Sequence, residues 1–399
     1  MRVIDYLPDR DGVVITTSSG QLKVQVLGDQ VMRVVFTARA AFGTATSDLL
    51  LPGLARTAPA VLQTPDSLVL TTARLRLTVD RSSGAFTWSD HAGRLLMREP
   101  HDRADTKILE EVDVLRTVFS PDTEITSVHG ADGERAVVHN TETVVDRQAY
   151  STTLRMEFAP GEALYGLGQH EEGVLDYRGH AQDLYQQNMK IVAPMIVSTR
   201  GYALLWDSQS LASFHDDQYG TYFWTEVDDE MDFLFVLGPE FDDIVGQVRR
   251  LTGDAPMLPR WALGYIQSKD RYLDAAELVE VVREFQRRHL PLDCIVQDWQ
   301  HWPEGQWGQK SFDPSRFPDP AGMVNELHRM GTRLMVSIWP NMHGDGPNQQ
   351  DFRKHGQLLG DDSTYDAFDV AARERFWRQV QEGYSRHGVD AFWSDCTEP

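Results

Sequence analysis

The 399-residue chain has only two cysteines, Cys294 and Cys396. Both stand in apolar or strand-like surroundings, with no CxxC and no metal-ligand spacing. A disulfide framework is excluded, and a reducing compartment fits. Long apolar runs are also missing; no stretch approaches the roughly 20 residues of a membrane-spanning helix. The N-terminal MRVIDYLPDRDG lacks the apolar segment of a secretory signal, so a cytoplasmic location is expected. Positive charge is scarce: Lys+Arg is 38 against Asp+Glu 60, a net charge of −22. No basic run offsets this, so neither a nucleic-acid nor a membrane partner is expected. Metal motifs and glycine-rich phosphate loops are absent, and no cofactor or metal is expected.

What is present divides the chain in two. The length exceeds one ordinary domain, and the composition, 41% hydrophobic and 25% charged, is that of a globular protein. Residues 13–17, 22–26, 32–36, 67–72, 75–79 and 85–88 are short β-branched runs separated by turn residues. Similar runs follow at 152–158, 191–198, 202–206, 222–224 and 231–236. Many short strands with regular turns predict an antiparallel β-sandwich over residues 1–255.

From about residue 256 strands alternate with helices. The pattern predicts strands at 261–267, 292–297, 333–338 and 389–394. Helices are predicted at 274–289, from 319–320 to Gly331, and at 371–386. The first helix opens on Asp274 and the second on Asp319-Pro320. Short, wholly apolar strands joined by helices predict a parallel sheet covered by helices. A nucleotide-binding sheet would need a glycine-rich turn after its first strand. That turn is Gln267-Ser268-Lys269-Asp270-Arg271-Tyr272, with no glycine. A barrel is the better reading, but a (β/α)8 TIM barrel needs roughly 250 residues. Residues 256–399 are therefore expected to be its first half, strands one to four. The expected fold class is multidomain, a sandwich followed by a half barrel.

Barrel chemistry sits where strands end. Those ends carry Lys269 to Tyr272, then Asp298-Trp299-Gln300-His301-Trp302, then Trp339-Pro340-Asn341-Met342, and lastly Trp393-Ser394-Asp395-Cys396-Thr397-Glu398. Acids recur beside aromatics. Carboxylates hydrogen-bond hydroxyls and indole faces pack on C–H surfaces, which suits a sugar. Each signal has a plainer alternative. A lone carboxylate can be a helix cap, a lone tryptophan a core residue. His301 is expected to be a solvated loop histidine and Cys396 a packing residue. A retaining glycosidase needs two carboxyls roughly 5–5.5 Å apart. Asp395 and Glu398 share one short loop and would aim similarly, so they are not that pair.

The ordered motifs resemble glycoside hydrolase family 31, retaining α-glycosidases that include α-glucosidases and α-xylosidases. Leu164-Tyr165-Gly166-Leu167-Gly168-Gln169-His170 resembles its N-domain signature. Gln186-Gln187-Asn188, Ala193-Pro194-Met195 and Gly201-Tyr202-Ala203-Leu204-Leu205-Trp206 continue it. Pro259-Arg260-Trp261-Ala262-Leu263-Gly264 resembles the entry to the barrel, and Trp393-Ser394-Asp395-Cys396-Thr397-Glu398 the nucleophile motif. Cys396 and Thr397 replace the commoner Met and Asn.

The resemblance implies a galactose-mutarotase-like N-terminal domain and roles for particular residues. Asp395 would be the nucleophile, and Trp393 a wall of the subsite for the reacting sugar. Asp298 would bind that sugar's distal hydroxyls, with Trp299 beside it. Ile338 and Trp339 would lie at the pocket floor, Gln187 and Asn188 on a loop reaching over it. Glu398 would be a supporting acid. The acid/base is expected beyond residue 399. The implied partner is an oligosaccharide or glycoside; the sequence leaves homo-oligomerisation open. Gln169-His170, Gln267-Ser268-Lys269 and Thr397-Glu398-Pro399 resemble a bacterial branch rich in α-xylosidases and α-transglucosylases. Trp299 would crowd a C6 hydroxymethyl group, which points to an α-xyloside. Two other readings stand beside this one: a non-catalytic fragment, and a mutarotase-like sandwich with an accessory domain.

Overall fold

The computed structural model describes residues 1–44, 47–103, 105–130 and 133–397. Its first half is built from three antiparallel sheets. The largest runs β1 (Val3–Asp9), β2 (Gly12–Thr17), β3 (Gly20–Val26), β4 (Val31–Thr37), β18 (Met231–Leu237), β15 (Tyr202–Trp206), β14 (Ile191–Ser198), β12 (Leu164–Gln169). A second runs β5 (Ala60–Gln63), β6 (Ser67–Thr71), β7 (Leu75–Asp80), β8 (Phe86–Asp90), β9 (Leu95–Arg98). The third runs β10 (Lys107–Gly130), β11 (Gly133–Arg155), β17 (Gly220–Asp228), β16 (Ala212–Asp217), β13 (Ala181–Leu184).

Alternation decides which residues enter the core. In β7, Leu75, Leu77 and Val79 are fully buried while Arg76 and Thr78 are not. One hydrophobic cluster collects such residues from all three sheets. Trp88 stacks on Phe235 at 4.2 Å inside it. The Leu164 to Gln169 motif has a backbone reason. Gly166 and Gly168 adopt φ +113° and +106°, and a Cβ on Gly168 would lie 1.9 Å from the Ile191 carbonyl oxygen across the β12–β14 ladder. Only glycine permits that register.

The second half contains a parallel sheet, β19 (Ile266–Gln267), β20 (Cys294–Gln297), β21 (Arg333–Ile338), β22 (Ala391–Ser394). α1 (Phe241–Thr252) precedes it. α2 (Ala275–Arg287) and α3 (Pro320–Arg329) present Leu278, Val282, Val324 and Leu327 to the same cluster as Ile295, Leu334 and Val336. Asp274 caps α2 through the Glu277 amide at 2.8 Å. Asp319 caps α3 through the Gly322 amide at 2.9 Å, with Pro320 in the first turn. α4 (Pro347–Lys354) and α5 (Val370–Gly383) complete the set.

Two expectations change. The apolar run 261–267 is mostly not a strand. Arg260–Leu263 is a 3-10 turn closed by the Ala262 amide on the Pro259 carbonyl at 3.0 Å, and only Ile266–Gln267 pairs. Pro259 cannot donate to a ladder, and Leu263 is 75% exposed, so nothing draws the segment into the sheet. α4 was not expected: Phe352 is its one large buried apolar side chain, too little for a visible period.

The backbone packs as two compact units. Met1–Leu115 with Val145–Ala255 forms one, and Arg116–Val144 with Pro256–Pro399 the other. The outer part of the β10–β11 hairpin thus belongs with the βα unit. There Thr117 sits so near Gly360 that a Cβ on that glycine would meet it at 2.8 Å.

Candidate active site

Parallel pairing brings the strand ends to one level. Ile338 pairs with Ser394, and the Asp395 amide donates to the Ile338 carbonyl at 3.0 Å. Val336 pairs with Gln297, which puts Asp298 beside Ser337. Asp298 and Asp395 therefore stand at the ends of β20 and β22, on either side of β21, along one edge of the sheet where βα units hold their chemistry.

The half-buried Asp298 carboxylate accepts the Trp299 amide at 2.7 Å. Burial raises its pKa, and the negative charges of Asp395 and Asp270 raise it further; the Trp299 amide and the Ser337 hydroxyl act against them. Ser337 also accepts the Trp339 indole N–H at 3.0 Å. It links the third strand's tryptophan to the second strand's acid.

Trp299 is held from two directions. Its Nε1 donates to Asp270 Oδ1 at 3.0 Å, and the Arg271 guanidinium lies 4.5 Å from the ring centre. Arg271 Nε is 3.3 Å from Asp270 Oδ2, so the three side chains brace one another. Beyond Trp299, Trp307 lies at 5.4 Å and Trp339 a further 5.1 Å away. Trp302 completes the cluster at 5.7 Å from Trp307. Ile338 and Trp339 are buried beneath this edge at 5% and 8% exposure. Trp393 is 46% exposed and, two residues before Asp395, lies on the same face of β22. Asp395 Oδ1 accepts the Cys396 amide at 2.9 Å.

Gln187 and Asn188 sit in an exposed turn of the first unit, where Gln187 lines a groove of about 350 Å³. Glu398 falls outside the described residues. His301 is not a solvated loop residue. It is fully buried, with Nε2 at 2.7 Å from the Tyr384 hydroxyl and Nδ1 at 3.1 Å from the Asp298 carbonyl. Burial lowers its pKa to about 4, so it is a neutral tie beneath the loop rather than a proton shuttle. Cys396 is exposed rather than buried, with a backbone φ of 50°, while Cys294 is buried.

Sequence reasoning named Asp270 and Arg271 without giving them a role, and missed Ser337 and Trp307. Ser337 had a usable signal, being one position before the Ile338-Trp339 strand end. Trp307 lies in a loop without period. Among the described residues no cluster of three His, Cys, Asp or Glu side chains could hold a metal ion. Among the described residues no helix is long and apolar enough to cross a membrane.

Antiparallel sheets followed by a βα unit whose strand ends carry carboxylates and indoles form the layout of a barrel glycosidase. Comparison with known proteins carries this to a family. The profile for "Glycosyl hydrolases family 31 TIM-barrel domain" matches residues 255–399, and that for "Glycosyl hydrolase 31 N-terminal galactose mutarotase-like domain" matches residues 21–214. The chain belongs to glycoside hydrolase family 31. An "Alpha-xylosidase" of Saccharolobus solfataricus is 39% identical over 259 residues, covering 63% of this chain and 35% of that protein. "Alpha-xylosidase A" of Aspergillus niger is 28% identical, over 62% of this chain and 36% of its own length. A crystal structure of a family 31 α-xylosidase from a soil metagenome, complexed with xylose, superposes with a TM-score of 0.81. It is 27% identical, and the match covers 99% of this chain and 58% of the other. The chain thus spans about a third of the length of these two curated relatives.

Proposed function

We propose that the protein of which this chain forms the described part is an exo-acting retaining α-glycosidase, acting on α-xylosides or α-glucosides by double displacement. Asp395 attacks the anomeric carbon and forms a glycosyl ester, which water then hydrolyses through an oxocarbenium-like transition state. Asp298 receives the distal hydroxyls of the reacting sugar, Trp299 and Trp393 flank it, and Ile338 and Trp339 form the floor. Gln187 and Asn188 approach from the N-terminal domain, and Glu398 supports the nucleophile loop. The acid/base comes from the portion of the relatives that this chain does not cover. The domains are a β-sandwich over 1–255 and the first four strands of a (β/α)8 barrel over 256–399, in a cytoplasmic protein.

The observation that carries this reading is the placement of Asp298 and Asp395 at the ends of β20 and β22, on either side of β21 and within electrostatic reach of each other. An α-xyloside is favoured over an α-glucoside by the bracing of Trp299. An indole tied to Asp270 and covered by Arg271 does not swing aside for a C6 hydroxymethyl group. The named α-xylosidases among the relatives agree.

The test uses the longest natural reading frame that contains this chain. Asp395→Asn should lower kcat on an aryl α-xyloside by roughly three orders of magnitude or more with the fold intact. Inactivation with a fluorinated glycosyl fluoride should leave its adduct on Asp395. An unchanged rate, or an adduct elsewhere, removes Asp395 from the mechanism. The 399-residue chain alone should show no turnover, because its match covers only 35–49% of the length of these relatives. Transglycosylation, the other outcome within the same chemistry, would show as oligosaccharide products at high substrate concentration.

A further inference from the structure

Residues 298–319, between β20 and α3, contain no helix or strand, and they begin with Asp298 and Trp299. A segment of that length without regular structure is commonly functional. Its backbone carbonyls need partners that no strand ladder supplies.

One short turn supplies them. The Arg316 guanidinium donates through Nη1 to the Gln300 carbonyl and through Nη2 to the Trp302 carbonyl, both at 2.6 Å. Between these two, the His301 carbonyl accepts the Asp313 amide at 2.8 Å. Three successive carbonyls directly after Trp299 are thus held from residues 313–316. The same turn reaches the loop after β19. The Arg316 carbonyl accepts the Ala275 amide at 3.1 Å, and Nη1 lies 3.4 Å from the Leu273 carbonyl. That loop carries Asp270 and Arg271, the two residues that brace Trp299.

The turn is itself fixed. Asp313 Oδ2 accepts Arg316 Nε at 3.0 Å, while Oδ1 accepts the Ser315 amide at 2.8 Å and its hydroxyl at 2.7 Å. A partly exposed ion pair three residues apart contributes little by itself. The use made of the guanidinium sets this pair apart. With Nε held by Asp313, the planar fork presents its two other nitrogens to two different carbonyls, and bonds from a charged donor are the stronger kind. A lysine ammonium, a single point charge, does not reproduce that fork.

We infer that Arg316 is a positioning residue for the reacting sugar: through the Gln300 and Trp302 carbonyls it fixes the segment that aims Asp298 and Trp299. It acts through those two side chains and not by contact with the sugar. This assignment rests on the roles proposed above for Asp298 and Trp299.

The test is steady-state kinetics of the longest natural reading frame on an aryl α-xyloside and an aryl α-glucoside, beside near-UV circular dichroism and melting curves. Arg316→Ala should lower kcat/KM on the α-xyloside by about a hundredfold with the fold retained. Arg316→Lys keeps the charge and most of the stem, and should still lose about tenfold. In both variants the ratio of kcat/KM for α-xyloside over α-glucoside should fall by about threefold or more, because Trp299 is released. In a Trp299→Ala background Arg316→Lys should no longer move that ratio. If Arg316→Ala does not fold, Arg316→Lys decides. The inference is overturned if Arg316→Lys changes the melting temperature alone, or if it shifts the ratio equally with and without Trp299. Failure of the wider reading looks different: Asp298→Ala would then leave the α-xyloside rate unchanged. Failure of this inference alone leaves Asp298→Ala costly and Arg316→Lys silent.

Discussion

Asp298 sits where its charge is least welcome, half-buried and facing two other carboxylates. Its folded pKa is raised, so the charged form opposes folding. That penalty is absent below the unfolded carboxylate pKa of about 3.9 and complete above the folded pKa. Asp298→Asn should accordingly raise the melting temperature by roughly 2–4 °C at pH 7. The gain should vanish by about pH 3.5, in melts followed across that range. A loss of stability at pH 7 would mean that Ser337 and the Trp299 amide outweigh the repulsion. His301 titrates in the opposite sense. Its folded pKa is lowered to about 4, so the unfolded chain takes up a proton first as the pH falls. Stability should fall between about pH 6.5 and 4, by up to about 1.4 kcal/mol per pH unit for this one group. Its imidazole resonances should stay neutral down to about pH 4. Titration near 6.5 would show that Tyr384 does not enclose it. At this scale the position of Asp298 and Asp395 at strand ends was legible, because strand ends are countable from period and turn residues. It concealed His301, whose burial depends on Tyr384, 83 positions away. The bracing of Trp299 was concealed for the same reason: Asp270 is 29 residues distant.

Elements were readable where their signals are local. The caps at Asp274 and Asp319 act within three residues, and the expected helices form behind them. The turn at Arg260–Leu263 and the helix at Pro347–Lys354 were misread because composition there does not decide: one is apolar yet exposed, the other polar yet packed. Tertiary partners settle both. The join of β9 to β10 shows how strong such partners can be. Lys107 and Glu99 are fully buried as an ion pair, and the Lys107 Nζ also lies 3.5 Å from the Phe86 ring centre. Burial lowers the Lys107 pKa, and Glu99 pulls it back. Glu99 further accepts the Phe86 amide at 3.1 Å and the Thr106 hydroxyl at 2.8 Å. Lys107→Met would strand that carboxylate, and should cost about 3–5 kcal/mol in urea unfolding. Adding Glu99→Gln keeps an acceptor for Phe86 and Thr106 without the charge, and should recover more than half of the loss. No recovery in the double variant would mean that Lys107 matters through its contact with Phe86 alone.

Over the whole molecule, two opposing terms govern self-association. The net charge of −22 keeps copies apart at low salt. Against it stands the βα unit. Its last described strand, β22, pairs with β21 alone among the described strands, so one side of its backbone is an open edge. Near that edge Trp393 is 46% exposed, and α5 carries Trp377 at 49% and Val370 at 59%. Open edges and apolar patches of this kind favour pairing with another chain. Charge repulsion reaches over a Debye length, about 30 Å at 0.01 M salt but only about 10 Å at 0.1 M, whereas edge pairing and apolar contact act at touching distance. Salt should therefore decide the balance. The 399-residue chain is expected to be monomeric at about 0.01 M salt and to associate at 0.1 M and above, as read by sedimentation velocity. Trp377→Glu and Trp393→Glu should each delay association to higher protein concentration, and the pair of substitutions more than either alone. The longer reading frame should not associate under the same conditions if further strands cover the edge. Association that weakens with salt would contradict this account, because it would make charge, and not the β22 edge, the attraction between copies.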